Sequence, residues 1–357
     1  MVALRTSQTL KSFERAVATD LEIHHHKMPI LLSRKMSVGG DVLKKERRMS
    51  RTFPGLACAL LVLSLFSWTL LLSAAQEDAR AEGEKGLEQC VATSYTFTTI
   101  DVPFPGAHDP TATGINNSGQ IVGAYSDSNG GLHGFLRRGK GVFTPIDVPN
   151  AGTAPHGINN RGQIVGFYSD SSGIHGFVYK NGAVTPIDVP GATLTEAVGI
   201  NKYGHVVGDY RDSSGTFHGF LYAEGTFTTI DVPGASLTGP QGINRYGEIV
   251  GFYDDSSGGR HGFLYDEGVF TTIDVPFPGA VVTALEEIND DGQIVGIYFD
   301  NSTLHGFLFD GEVYTTIDVP DASLTHVSGI NNRCQIVGRY IDSNGVDHAF
   351  VAIPKKK

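Results

Sequence analysis

The chain has 357 residues, 40% of them hydrophobic and 18% charged, with 27 Lys and Arg against 38 Asp and Glu. Residues 1–75 hold 11 of the basic and 5 of the acidic residues, so the remainder carries 16 against 33, a formal charge of −17. A surface that acidic argues against nucleic acid or anionic membranes as partners and suits a soluble protein with neutral or cationic ones.

Residues 1–48 show no repeat and no hydrophobic period. They contain His24-His25-His26 and a basic run, Lys44 to Arg48. A lone histidine tract offers too few ligands for a metal site and reads as a polar stretch. From Gly55 to Leu72 the chain is almost wholly apolar, with basic residues before it and Ser73-Ala74-Ala75 after it. That order is the order of a secretory signal, and it predicts cleavage after Ala75. An uncleaved membrane anchor is the alternative, since the run is near the length that spans a bilayer. Because 48 residues ahead of a signal are unusual, translation from Met49 is expected, with 49–75 the signal peptide. The expected location is extracellular or on the cell surface. Residues 76–94, charged and poor in aromatics, read as a linker.

From Tyr95 to Ile353 the chain repeats one unit, followed by a short basic tail, 354–357. IDV begins at Ile100, Ile146, Ile187, Ile230, Ile273 and Ile317. GIN begins at Gly114, Gly157, Gly199, Gly242 and Gly329, and its sixth copy reads Glu287-Ile288-Asn289. HGF begins at His133, His175, His218, His261 and His305, and the sixth copy is His348-Ala349-Phe350. Six copies about 43 residues apart have the period of propeller blades.

Each unit carries four short β-branched or aromatic runs: FTTIDVP, the approach to GIN, QIVGFY and HGFLY. Turn residues bound them, and none shows a period of 3.6. The N-x-x-G turn, as in Asn159 to Gly162, suits a tight hairpin because Asn and Gly tolerate positive φ. The D-S-S-G turn, as in Asp170 to Gly173, joins the next pair. A four-stranded sheet cannot bury both faces alone, whereas six arranged radially can. Adjacent Ile and Val in QIVG fit a strand buried on both sides. The expected fold is therefore all-β, a six-bladed β-propeller of four-stranded antiparallel blades. The last copy lacks an IDVP strand of its own, and Tyr95 to Pro103 precede the first GIN. The N-terminal strand is thus expected to complete the last blade and close the ring, removing exposed sheet edges. A single ring of this kind is expected to be monomeric.

GINNRGQIVGFYSDSSGIHGFVY, Gly157 to Tyr179, resembles the HAF repeat, a bacterial repeat named for a His-Ala-Phe tripeptide and described as probably extracellular. The resemblance covers Tyr95 to Ile353, although five of the six copies carry Gly in place of Ala. It implies an exported protein of repetitive β-structure and brings no catalytic residues with it.

Within the repeat, the six His invite a metal reading, but positions set back from the axis would spread ligands apart. A buried His bonded to the Asp of IDVP or the Asn of GIN is the plainer expectation. The turn aspartates Asp127, Asp170, Asp212, Asp255, Asp300 and Asp342 suit Ca²⁺ in ligand type, and Asp254-Asp255 is the one doubled copy. Each Asp more simply caps its own turn. Cys90 and Cys334 are expected on one face of the last blade, where a disulfide would lock the ring.

Function is expected where the copies disagree. Just before each GIN-type tripeptide stand Thr113, His156, Val198, Gln241, Glu286 and Ser328, with His108, Glu196, Glu287 and His326 nearby. His156 and Glu286 are the candidate acid–base pair of a central channel; Gln241, Glu196 and His326 are candidate binding residues beside them. Drift in a solvent-filled channel would also account for these differences. Tyr203 and Tyr246, in N-x-x-G turns, are candidate exposed binding aromatics. Two functions follow. The first is an extracellular binding module for carbohydrate or protein, with no cofactor unless the acidic turns hold Ca²⁺. The second is a glycan-active hydrolase or lyase with one central site. No nucleophile elbow, zinc spacing or phosphate loop is present.

Overall fold

The computed structural model describes residues 94–355, so the apolar segment, the linker and Cys90 lie outside the described residues. Apart from one 3₁₀ turn at Gly139–Gly141, the described elements are all strands. They form six four-stranded antiparallel sheets. Five are plain meanders, as the tight N-x-x-G and D-S-S-G turns require, and the sixth is a three-strand meander completed by a strand from elsewhere. Blade three is representative: inner strand Leu194–Ile200, second strand Val206–Arg211, third strand Phe217–Ala223 and outer strand Thr226–Thr229. Blades one, two, four and five repeat this order over residues 108–146, 152–186, 237–273 and 282–317. The architecture is a six-bladed β-propeller.

Blade six takes three strands from Leu324 to Pro354 and its outer strand from Tyr95–Ile100. Tyr95 pairs with Pro354 and Ile100 with Ala349, so the ring closes as the sequence predicts. Thr99 Oγ1 lies 2.9 Å from the Tyr340 hydroxyl, the bond that blades three and four make internally between Tyr210 and Thr229 and between Tyr253 and Thr272.

The core lies in the seams between blades. The Phe of every HGF-type tripeptide is fully buried: Phe135, Phe177, Phe220, Phe263, Phe307 and Phe350. Each removes roughly 2–3 kcal/mol worth of apolar surface from water. Both residues of the adjacent apolar pair are buried in every blade, as in Ile164-Val165 and Val206-Val207, because a middle strand has neighbouring blades on both sides. Ala349 is the exception among the HGF glycines. It packs in the blade six–blade one seam beside Ala112. The position equivalent to Ala112 carries Pro155, Pro240, Leu285 or Val327 in four other blades, and there it presses on a glycine. A larger residue in the last blade therefore meets a smaller one in the first.

The N-x-x-G turns work differently from the expectation. Only the fourth residue takes a positive φ, such as Gly162 at 73° and Cys334 at 57°. The Asn acts through its side chain. Asn159 Oδ1 accepts the Arg161 and Gln163 N–H groups, each at 3.0 Å, and its Nδ2 donates to Asn201 O in the next blade, also at 3.0 Å. The equivalent Nδ2 bonds run from Asn116 to Asn159, Asn201 to Asn244, Asn244 to Asn289, Asn289 to Asn331, and Asn331 back to Asn116. Six buried asparagines thus form a closed belt around the axis.

Candidate functional site

The meander puts the D-S-S-G turns and the IDVP-to-GIN loops on one face and the N-x-x-G turns on the other. On the first face five of the repeated His stand between two aspartates, and His348 Nε2 is 3.6 Å from Asp342. His261 Nδ1 is 2.7 Å from Asp274 of IDVP, and its Nε2 is 3.5 Å from Asp255 of the turn. His133, His175, His218 and His305 repeat the pattern. Each ring lies against the Tyr of V-G-x-Y, as in Tyr298–His305 at 4.9 Å between centroids. The bonding to the IDVP Asp is as expected, but the His side chains are 21–32% exposed in these five blades rather than buried. They lie at the beginning of the third strand, next to the D-S-S-G turn. Hydrogen bonds to the Asp274 carboxylate raise the His261 pKa.

The turn aspartates cap their own turns. Asp255 Oδ1 accepts from the Ser257 and Gly259 N–H groups at 2.7 and 2.9 Å. The serine hydroxyl, then these N–H groups, lower its pKa to about 2. Asp254 points elsewhere and makes a two-pronged bond with Arg260, at 2.8 and 3.0 Å. The doubled pair therefore does not converge on one point, and among the described residues no group of three or more His, Cys, Asp or Glu could hold a metal.

The inner strands carry the positions where the copies differ. Each has a bulge two residues before the GIN isoleucine, as between Ala197 and Gly199 or Leu285 and Glu287. The bulged residues are Thr113, His156, Val198, Gln241, Glu286 and Ser328. Glu286 and His326 come together across two blades, with Nε2 4.0 Å from Oε1. His326 Nδ1 is 3.2 Å from Ser328 Oγ. His156 packs instead against Phe167 in its own blade, 5.6 Å between ring centroids. His326, a candidate binding residue, is thus a histidine that joins Glu286. Its partner in register is Arg339, which bonds Asp347 at 3.1 Å.

Glu196 pairs in register with Asp209. Burial, then the Glu196 charge, hold the Asp209 pKa well above the usual carboxylate range. Asp209 and Arg339 occupy the x of V-G-x-Y. That position also varies in the sequence, as Ala124, Phe167, Asp209, Phe252, Ile297 and Arg339, and was the available signal for both.

Glu287 replaces the GIN glycine and is partly buried. Its side chain turns back towards blade four. Oε1 accepts the Ile288 N–H at 3.0 Å, and the Ile243 backbone also bonds the carboxyl. A Cβ at Gly242 would come within 2.6 Å of Oε1, so the glutamate requires that glycine. Burial pushes its pKa up to about 8. Because the folded value exceeds the ordinary 4.5, Glu287 costs stability as pH rises from 4.5 and costs most above 8. Glu287→Gln is expected to leave the melting temperature almost unchanged at pH 4 and to raise it progressively up to pH 9. A difference constant across that range would overturn this account.

On the opposite face, Tyr203 and Tyr246 are 54% and 63% exposed. They hold the same turn position in adjacent blades. Lys202 Nζ stands 4.8 Å from the Tyr203 ring centroid and the Arg245 guanidinium 4.4 Å from that of Tyr246. Cys334 is buried in the blade-six turn, its Sγ 3.5 Å from Gln293 Oε1; the proposed bridge to Cys90 involves a residue outside the described ones.

No family model and no curated protein matches the sequence. The likeness to the HAF repeat is therefore one of sequence pattern. Similar solved structures include AofleA from Arthrobotrys oligospora, at 13% identity and TM-score 0.48 over 74% of this chain and 91% of that one. The Aleuria aurantia lectin gives 13% and 0.45 over 71% and 93%. A virginiamycin B lyase from Staphylococcus aureus gives 12% and 0.42 over 72% and 99%. At these values the likeness carries no argument about ligand or reaction.

Proposed function

We propose that the protein is an exported binding module, extracellular or held at the cell surface, that takes a carbohydrate or protein ligand on the face of the N-x-x-G turns. The observation that carries this reading is the pair Tyr203 and Tyr246. Two large rings are presented to solvent at equivalent positions of adjacent blades. Neither contributes to the seams, and each has a cation against its ring. Equivalent sites one blade apart give avidity from weak single contacts. The repeated His and Asp groups support the same reading, because their hydrogen bonds are spent on fixing loops to strands.

A second reading rests on the Glu286–His326–Ser328 chain, a carboxylate, an imidazole and a hydroxyl in sequence beside the channel. It would place one acid–base site of a glycan-active hydrolase or lyase there.

Screening of the purified protein against a glycan array and candidate protein partners, with and without Ca²⁺, separates the two. Saturable binding that Tyr203→Ala and Tyr246→Ala weaken is expected for the module, and a requirement for Ca²⁺ would give the acidic turns a role. Binding unaffected by either tyrosine, together with turnover abolished by Glu286→Gln, would replace it with the enzyme.

A further inference from the structure

The net charge of the chain points away from anionic ligands, but the charge is not evenly spread. The six turn aspartates and six IDVP aspartates all belong to one face. The face of the N-x-x-G turns carries Arg138, Arg161, Lys180 and Lys202 across blades one to three. Among the described residues, the ion pairs made by Lys or Arg are Arg260–Asp254 and Arg339–Asp347, so none of these four is neutralised by a carboxylate at contact distance. The arc ends at blade four, where Asp290 and Asp291 from the turn of blade five lie near Arg245.

Within the arc, a groove of about 360 Å³ opens between blades one and two. Its polar lining includes Gln120, Arg138, Asn160, Arg161, Tyr179 and Asn181. Its volume is that of a small-ligand site. Two of these residues are held ready. Arg138 Nη1 donates to Thr144 Oγ1 at 2.8 Å, which fixes the guanidinium and leaves its other N–H groups available. Asn160 Oδ1 accepts the Asn117 N–H at 2.8 Å, which turns the amide so that its NH₂ is the group left for a ligand. The groove thus offers two guanidiniums, which grip planar or tetrahedral oxyanions in two-pronged fashion, amide donors and a phenol ring.

We propose that this groove binds an acidic saccharide, a uronate or a sulfated sugar, whose anionic group lies between Arg138 and Arg161. The chain of sugars continues along the arc over Lys180 and Lys202 towards Tyr203. This deepens the binding-module reading and rests on it. A saccharide is favoured over other anions because the charged groups alternate with Tyr179 and Tyr203, and because the groove admits a ring.

The test is calorimetric titration of the purified protein at about 0.15 M salt, where surface charges act over roughly 8 Å. The probes are tetragalacturonate, a chondroitin sulfate tetrasaccharide and neutral maltotetraose. At least one acidic probe is expected to bind about tenfold or more tightly than the neutral one. The preferred acidic probe tells carboxylate from sulfate. Arg138→Ala and Arg161→Ala are each expected to weaken it by about tenfold, with circular dichroism unchanged since both side chains are exposed. Neutral saccharide bound as well as the acidic ones, or acidic binding untouched by both arginine variants, overturns the proposal and leaves the binding module standing. A single-stranded oligonucleotide competing equally overturns it in favour of a general polyanion surface. Failure to bind any saccharide or protein partner removes the binding module as well.

Discussion

Gly208→Ala is expected to lose about 3 kcal/mol or more of stability. Gly208 is the glycine of V-G-x-Y in blade three, opposite the inner-strand bulge. A Cβ there would lie 2.0 Å from the Glu196 carbonyl oxygen and 3.1 Å from the Ala197 Cα. Those are backbone atoms of the strand that lines the channel, so they cannot move without undoing the ladder between the first two strands. The other five blades show the same clash at 1.9–2.4 Å. Gly215→Ala, in the D-S-S-G turn of the same blade, supplies the contrast. Its φ is 92°, but no atom lies within 4 Å, so the expected loss is only the left-handed penalty of about 1 kcal/mol. Urea denaturation of the two variants measures both. Equal, small losses would mean that the inner strand is not bulged as described.

Asn331→Ala is expected to cost as much as Asn159→Ala, about 3–5 kcal/mol in each case. Asn331 donates to Asn116 O at 3.0 Å and to Gln335 Oε1 at 2.9 Å, and accepts from the Arg333 and Gln335 N–H groups at 2.9 and 3.0 Å. Asn159 makes the same four bonds. Each loss strands buried partners at a net cost near 1 kcal/mol or more apiece. Equality is the informative part. In a closed belt no blade is terminal, whereas in an open array the bond from Asn331 to the first blade would not exist. Thermal melting that shows Asn331→Ala to be markedly milder would argue against closure.

The strand meander and the closure of the ring were legible because they follow from local signals: turn residues at fixed offsets, an Ile-Val pair that needs cover on both sides, and an outer strand missing at one end and extra at the other. The bulge was not legible, since nothing in GIN or V-G-x-Y distinguishes a glycine required by a close carbonyl from one required by a turn. The Gly208 position is glycine in all six blades and the Gly215 position in five, with Thr303 in the other, and the two recur for different reasons. The asparagine belt was hidden for a related reason. Asn159 looks like a turn residue, and its bond to Asn201 O depends on the distance between neighbouring blades. The candidate site was legible only in part. Variation before GIN pointed to Glu286, but its partner His326 is two positions further from its own GIN on the following blade. The exposed Tyr203 and Tyr246 were recognisable from their turns, while the groove between Arg138 and Arg161 joins residues of two blades.

The outer strand of the last blade comes from the beginning of the array, so Thr99 waits 241 residues for Tyr340. During synthesis, the first strand emerges with no partner and blade six exits with an unpaired edge. Both remain open to mispairing until the final residues are free. Folding should therefore show a slow closing step set by the search of a long loop for its ends. A circular permutant that moves residues 94–100 behind Lys355 keeps every native pairing but makes that search local. It should fold faster and form fewer aggregates from partly assembled rings.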